Sequence, residues 1–104
     1  MKIAITSQGN KHDSIIDQRF GRSHYFVIYD TESKSTEFIP NSNNQVEEGA
    51  GPSSVQLLAN KGVSKVVSGE FGAKIKPLMD SLKMGMIIVK EPKTIQEIIK
   101  MLNH

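Results

Sequence analysis

The chain has 104 residues, 38% hydrophobic and 23% charged, with a net charge of +2 and no cysteine. That size and balance suit one domain spanning residues 1–104 with a core of its own, and exclude general disorder. The missing thiols exclude a disulfide framework, a thiolate nucleophile, a Cys-held zinc and a conventional Cys-held iron–sulfur cluster, and so mild a charge excess is far from the clustered basic surface that grips nucleic acid.

Ile3-Ala4-Ile5, between Lys2 and Thr6, predicts a short buried strand, followed by a loop that runs to about residue 23. This N-terminus is too short and too soon polar for a signal peptide, and no apolar run is long enough to span a membrane, so a cytoplasmic protein is expected. Tyr25-Phe26-Val27-Ile28-Tyr29-Asp30 is aromatic and β-branched and predicts a central strand. After the polar turn at Thr31–Lys34, residues 35–40 return as the second arm of a hairpin, and Pro40 suits a sheet edge.

Residues 41–51 are polar and rich in turn formers, which predicts a mobile loop. Pro52 then pre-sets a first helical turn, Val55, Leu58 and Ala59 share one face, and Gly62 supplies a stop. Val63–Ser68 reads as a strand, and Ile75, Leu78, Met79 and Leu82 predict a second helix over about 73–84, closed by Gly85. Pro77 places the proper start of that helix near Lys76 or puts a kink there. Met86–Val89 reads as a fifth, fully apolar strand, and Thr94 with Glu97 forms a capping-box pair that opens a terminal helix lined by Ile95, Ile98, Ile99 and Leu102. The order β-β-β-α-β-α-β-α predicts an α/β fold: a mixed five-stranded sheet with flanking helices, its second strand antiparallel to the first.

In such sheets ligands collect beyond the carboxyl ends of the strands. Three loops lie there: 7–24, 49–52 and 69–74. The first carries Arg19 and Arg22, the only arginines of the chain, whose planar guanidinium groups match oxyanions as an ammonium does not. Gly49-Ala50-Gly51 leads into a helix N-terminus, where free amides and the positive end of the dipole favour an anion, although these residues also serve simply to make the turn. Arg19 has two readings, contact with a ligand, or a structural one in which Asp17 and Arg19 pair with each other or with the backbone to lock the loop, while Phe20 is expected to plug the core. His24 and His12 are candidate metal ligands, neither with a second ligand at a diagnostic spacing, and His104 is terminal.

The charge is uneven: residues 1–52 hold five basic and seven acidic side chains, and residues 53–104 hold eight and four. Lys61, Lys65, Lys74 and Lys76 therefore suggest a mildly basic face beside the helix starts of the second half. Gly49–Ser54 lacks the third glycine of a dinucleotide fingerprint, Gly69–Lys74 lacks the spacing of a phosphate loop, and no paired carboxylates stand ready for acid–base work. Nothing in the residues alone supports catalysis.

Asp17-Gln18-Arg19-Phe20-Gly21-Arg22-Ser23-His24-Tyr25-Phe26, together with Met1–Ile5, Gly49-Ala50-Gly51, Lys61-Gly62-Val63 and Gly69–Gly72, resembles the dinitrogenase iron–molybdenum cofactor biosynthesis and carrier proteins, including small stand-alone members, over nearly the whole chain. The resemblance implies a ribonuclease H-like fold and a non-catalytic carrier of an anionic iron–sulfur or molybdenum-containing cluster, or of its precursor. It further implies cluster-assembly proteins as partners, with Arg19, Arg22, His24 and the 49–51 turn at the cargo. The chain departs from many relatives in lacking cysteine and in carrying Gln45-Val46-Glu47-Glu48 before the turn, whose two glutamates oppose a nearby anion. A protein–protein interaction or regulatory module without a cluster is the alternative reading. A hydrolase ranks behind both, since a nuclease of that fold would need acidic metal ligands on the first strands.

Overall fold

The computed structural model describes residues 1–42 and 49–103; the expectations for Gln45–Glu48 and His104 lie outside the described residues. Eight elements follow in order: β1 (Lys2–Ser7), β2 (Tyr25–Asp30), β3 (Thr36–Pro40), α1 (Ala50–Asn60), β4 (Val63–Ser68), α2 (Ile75–Ser81), β5 (Gly85–Ile88) and α3 (Ile95–Leu102). They form one mixed sheet in the order β3-β2-β1-β4-β5. β2 runs antiparallel to β1 and β3, while β1, β4 and β5 run parallel. None of the described helices is long and apolar enough to cross a membrane.

β1, not the more aromatic β2, occupies the middle of the sheet. Phe26–Tyr29 are all buried because both faces of β2 are covered, which any interior strand achieves. The edge expectation for Pro40 holds, since its strand β3 pairs on one side only.

Side-chain alternation along the strands splits the core in two. Ala4, Phe26, Ile28 and Val66 face Val55 and Leu58 of α1 and Ile75 and Met79 of α2. Ile3, Ile5, Val27 and Val67 face Ile95 and Ile98 of α3 on the opposite side. The long connection from β1 to β2 is anchored to the second cluster by Ile16, which is fully buried, and its amide donates to the Lys93 carbonyl at 2.9 Å.

The helix ends explain the boundaries. α2 is shorter than its apolar pattern, and Pro77 is its third residue, inside the first turn where no backbone donor is lost. Its end is not made by Gly85, which starts β5. Lys83 takes the left-handed conformation instead (φ 57), donating to the Asp80 carbonyl at 3.0 Å while Met84 donates to that of Met79 at 2.9 Å. α1 ends as expected at Gly62 (φ 80). At α3 the Glu97 amide donates to Thr94 Oγ1 at 3.1 Å and the Thr94 amide to Glu97 Oε1 at 2.9 Å, which closes the anticipated capping box.

A backbone contact places the β1–β2 loop against α1. A Cβ on Gly21 would stand 2.9 Å from the Gly51 nitrogen and 3.0 Å from its Cα, so only glycine lets the two chains lie this close. A Cβ on Gly51 would meet the Ile75 side chain at 2.7 Å.

Gly21→Ala is expected to cost about 1–3 kcal/mol because rigid backbone has to move; Gly51→Ala is expected to cost less, since a flexible side-chain end can yield. Urea unfolding midpoints check the order. Thr94→Ala should lower stability by about 1 kcal/mol with an unchanged m-value. The Thr94 amide holds the Glu97 carboxyl below the usual glutamate range. Its contribution is therefore present above the unfolded pKa and fades as pH falls through the lower folded value. Glu97→Gln should flatten that acid-side decline in a pH series of melts.

Candidate functional site

The parallel strands β1 and β4 both end at the same edge of the sheet, and the loops leaving them carry Arg19 and Glu70, which lie side by side in a short parallel bridge. The first turn of α1 approaches from above one face. Between these three segments lies a cleft of about 350 Å³, within the range of small-ligand sites. Its walls are Arg19–Arg22, Gly49–Pro52 and, across from them, Glu70, Gly72, Lys74 and Ile75.

The donors are arranged by local backbone physics. Gly49 is the N-cap of α1 with φ 76, a conformation that suits glycine, and it offers no side chain to cap the helix. The Ser53 amide donates to the Gly49 carbonyl at 3.0 Å, and Pro52 has no N–H. The amides of Ala50 and Gly51 are thus the first-turn groups turned toward the cleft end of the dipole. Arg19 is exposed at the rim and Arg22 is half-buried. Among the described residues, three cations, one carboxylate and a helix N-terminus line the cleft.

Asp17 organises the arginine loop. It is buried, its peptide exchanges hydrogen bonds with Thr6, and its Oδ1 accepts the Arg19 amide at 3.2 Å. The loop lock expected of Asp17 is therefore made to the backbone of Arg19, and Arg19 keeps its side chain on the cleft. Phe20 is 2% exposed and packs against Phe26 and Phe71 at 5.6 Å each, which is the core plug anticipated for it. Ser23, fully buried, accepts the Ser7 amide at 3.1 Å and donates to the Tyr25 carbonyl at 2.7 Å.

Arg19, Arg22, Gly49, Ala50 and Gly51 are thus brought together, and the two histidines are not. His24 does not line the cleft; its ring Nδ1 lies 3.3 Å from Asp17 Oδ2 and its side chain is 60% exposed. That bond orients the ring and leaves the other nitrogen facing outward. His12 lies in a different groove, with Tyr29, Lys34 and Thr36, edge-on to Phe38 at 5.2 Å. Among the described residues no three His, Asp or Glu side chains converge as a metal site. The 69–74 loop lies at the ligand edge expected of it and brings in Lys74, expected only as part of a basic face, and Glu70, for which the sequence offers no separate signal.

The comparisons with known proteins bear on the same constellation. An uncharacterized protein of Methanocaldococcus jannaschii is 31% identical over 105 residues, covering 97% of this chain and 84% of that one. The apo form of the orange protein from Desulfovibrio gigas superposes with a TM-score of 0.90 at 26% identity, covering 97% and 85% of the two chains. A NifB-like protein of Thermotoga gives a TM-score of 0.84 at 33% identity, with the same coverage of 97% and 85%. The model of the family described as dinitrogenase iron–molybdenum cofactor matches residues 1–104, and this chain belongs to that family.

Proposed function

We propose that the protein is a non-catalytic carrier of an anionic metal–sulfur cluster or its precursor, acting as one domain over residues 1–104 in the cytoplasm with cluster-assembly proteins as its partners. The observation that carries this reading is the meeting of Arg19, Arg22 and Lys74 with the uncapped N-terminus of α1 in one cleft. The family and its orange-protein and NifB-like neighbours support the class of cargo. We also assign the sheet order β3-β2-β1-β4-β5 to the ribonuclease H-like group, on the order and direction of its strands.

The donor set fits a cluster that arrives complete. With no cysteine in the chain and neither histidine on the cleft wall, the contacts offered there are guanidinium and ammonium charge and backbone N–H groups. Such groups hold sulfide-covered anions by charge-assisted hydrogen bonds without replacing a ligand of the metal. His24, which Asp17 holds on the same loop but off the cleft wall, is the ligand we propose for a metal that a bound cluster exposes beyond the rim. Glu70 opposes the anion and sets a limit on how tightly it is held, as suits a protein that must release its load. A protein-interaction module is the second reading; Leu82, just past α2, and Ile88, on the edge strand β5, are 43% and 52% exposed.

Anaerobic titration with tetrathiomolybdate, followed by absorbance and bound molybdenum, is expected to saturate at one equivalent and to weaken as salt rises. Arg19→Ala combined with Arg22→Ala should weaken binding at least about a hundredfold, and Glu70→Gln should tighten it by about 0.2–1 kcal/mol. No uptake by wild type, or uptake indifferent to both arginines, rejects the carrier reading. A partner complex that survives metal removal and depends on Leu82 or Ile88 would favour the second.

A further inference from the structure

Asn41 follows the last residue of β3 and falls in a polar stretch, yet it is 3% exposed. Its backbone amide continues the hairpin, donating to the His24 carbonyl at 2.9 Å. Its side chain does something else. Nδ2 donates to the Gly21 carbonyl at 3.2 Å and to the Ser23 carbonyl at 2.9 Å, the two carbonyls on either side of Arg22. Oδ1 accepts from Ser54 Oγ at 3.5 Å, and Ser54 is a fully buried residue of α1. Two carbonyls facing one end of the amide and a hydroxyl facing the other fix which end is nitrogen.

One buried amide therefore bridges both walls of the cleft: the arginine loop on one side and the N-terminal half of α1 on the other. Resting on the carrier reading above, we infer that Asn41 is a positioning residue for anion binding, which holds the backbone at Arg22 in register with the free amides of α1. Burial makes the link exacting at Ser23, whose carbonyl would otherwise lose a buried partner. Two walls that each bring part of the positive charge bind one anion well only when their separation is set in advance. The close approach of Gly21 to Gly51 sets how near the walls can come at one point, and Asn41 governs the stretch on the far side of Arg22.

Asn41→Ala removes the side-chain bridge and keeps the backbone bond to His24, so its effects divide cleanly. In hydrogen exchange of the ligand-free protein, the Ser23 amide, which donates to the Phe20 carbonyl at 3.3 Å, should exchange faster than in wild type. The backbone amide at position 41 should stay protected. Unchanged exchange at Ser23 overturns the inference, whatever the protein binds. In tetrathiomolybdate titrations corrected for the folded fraction, Asn41→Ala should weaken binding about tenfold or more and add nothing further in an Arg22→Ala background. Equal losses in both backgrounds, or no loss at all, overturn positioning through Arg22, since a purely structural role would lower the unfolding midpoint alone. If wild type takes up no tetrathiomolybdate, the carrier reading fails for that probe, and the exchange result alone decides the role of Asn41. Should Asn41→Ala not fold, Asn41→Ser, which retains one donor, is read in the same way.

Discussion

The site depends on how closely two pieces of backbone approach each other. Gly21 lies against the peptide of Gly51 at a distance that leaves no room for a side chain. Everything chemically useful is stacked around that contact: Arg19 and Arg22 on one strand of it, the free amides of α1 on the other, and Ile75 beneath Gly51 carrying the position of α2 to the same point. Glycine acts here through what it lacks. The anion-binding role proposed for the 49–51 turn draws on the same bare backbone as its packing role, because a chain without side chains can be approached closely.

The sheet supplies the rest of the geometry. β1 and β4 run parallel in the middle, so both of their exit loops open on one edge, and α1 arrives at that edge by its N-terminus. The arginine loop is long and would be free to wander, but it is stapled at several places. Asp17 ties it to Thr6, Ile16 sinks into the core under α3, Phe20 sinks into the core under α1, and Ser23 rejoins Ser7. The loop is thereby fastened to both hydrophobic layers at once.

A cleft with cations, amides and no thiolate differs in kind from a cluster-assembly site. Thiolate ligands form bonds to iron that must be broken for the cluster to leave, whereas hydrogen bonds to bridging or terminal sulfides are lost one at a time. The carrier reading follows from that contrast together with the family to which the chain belongs. Glu70 and the exposure of Arg19 fit the same logic: neither favours permanent retention.

Much of this was legible in the sequence. Period-two and period-3.6 apolar patterns, the capping pair Thr94–Glu97 and the stop at Gly62 located every strand and helix, since each of these signals is local and works through neighbours within about four residues. The arginine block and the glycine turn could be marked as candidates for the same reason. Their exit at the carboxyl ends of parallel strands already set them at one edge of the sheet, whereas the direct contact of Gly21 with Gly51 came only with the fold. Strand order placed β1 rather than β2 at the centre, the fold set His12 and His24 off the cleft wall, and α2 ends at Lys83 in the left-handed conformation two residues before Gly85. Glu70 and Asn41 joined the cleft walls only through the fold, as ordinary polar residues of turns with no local signal of their own. The amino-acid sequence alone determined the elements and the positive character of two loops, whose causes are short-range. Which groups face one another was decided by the tertiary structure, because packing of distant segments against two shared cores is a long-range constraint that no local pattern encodes.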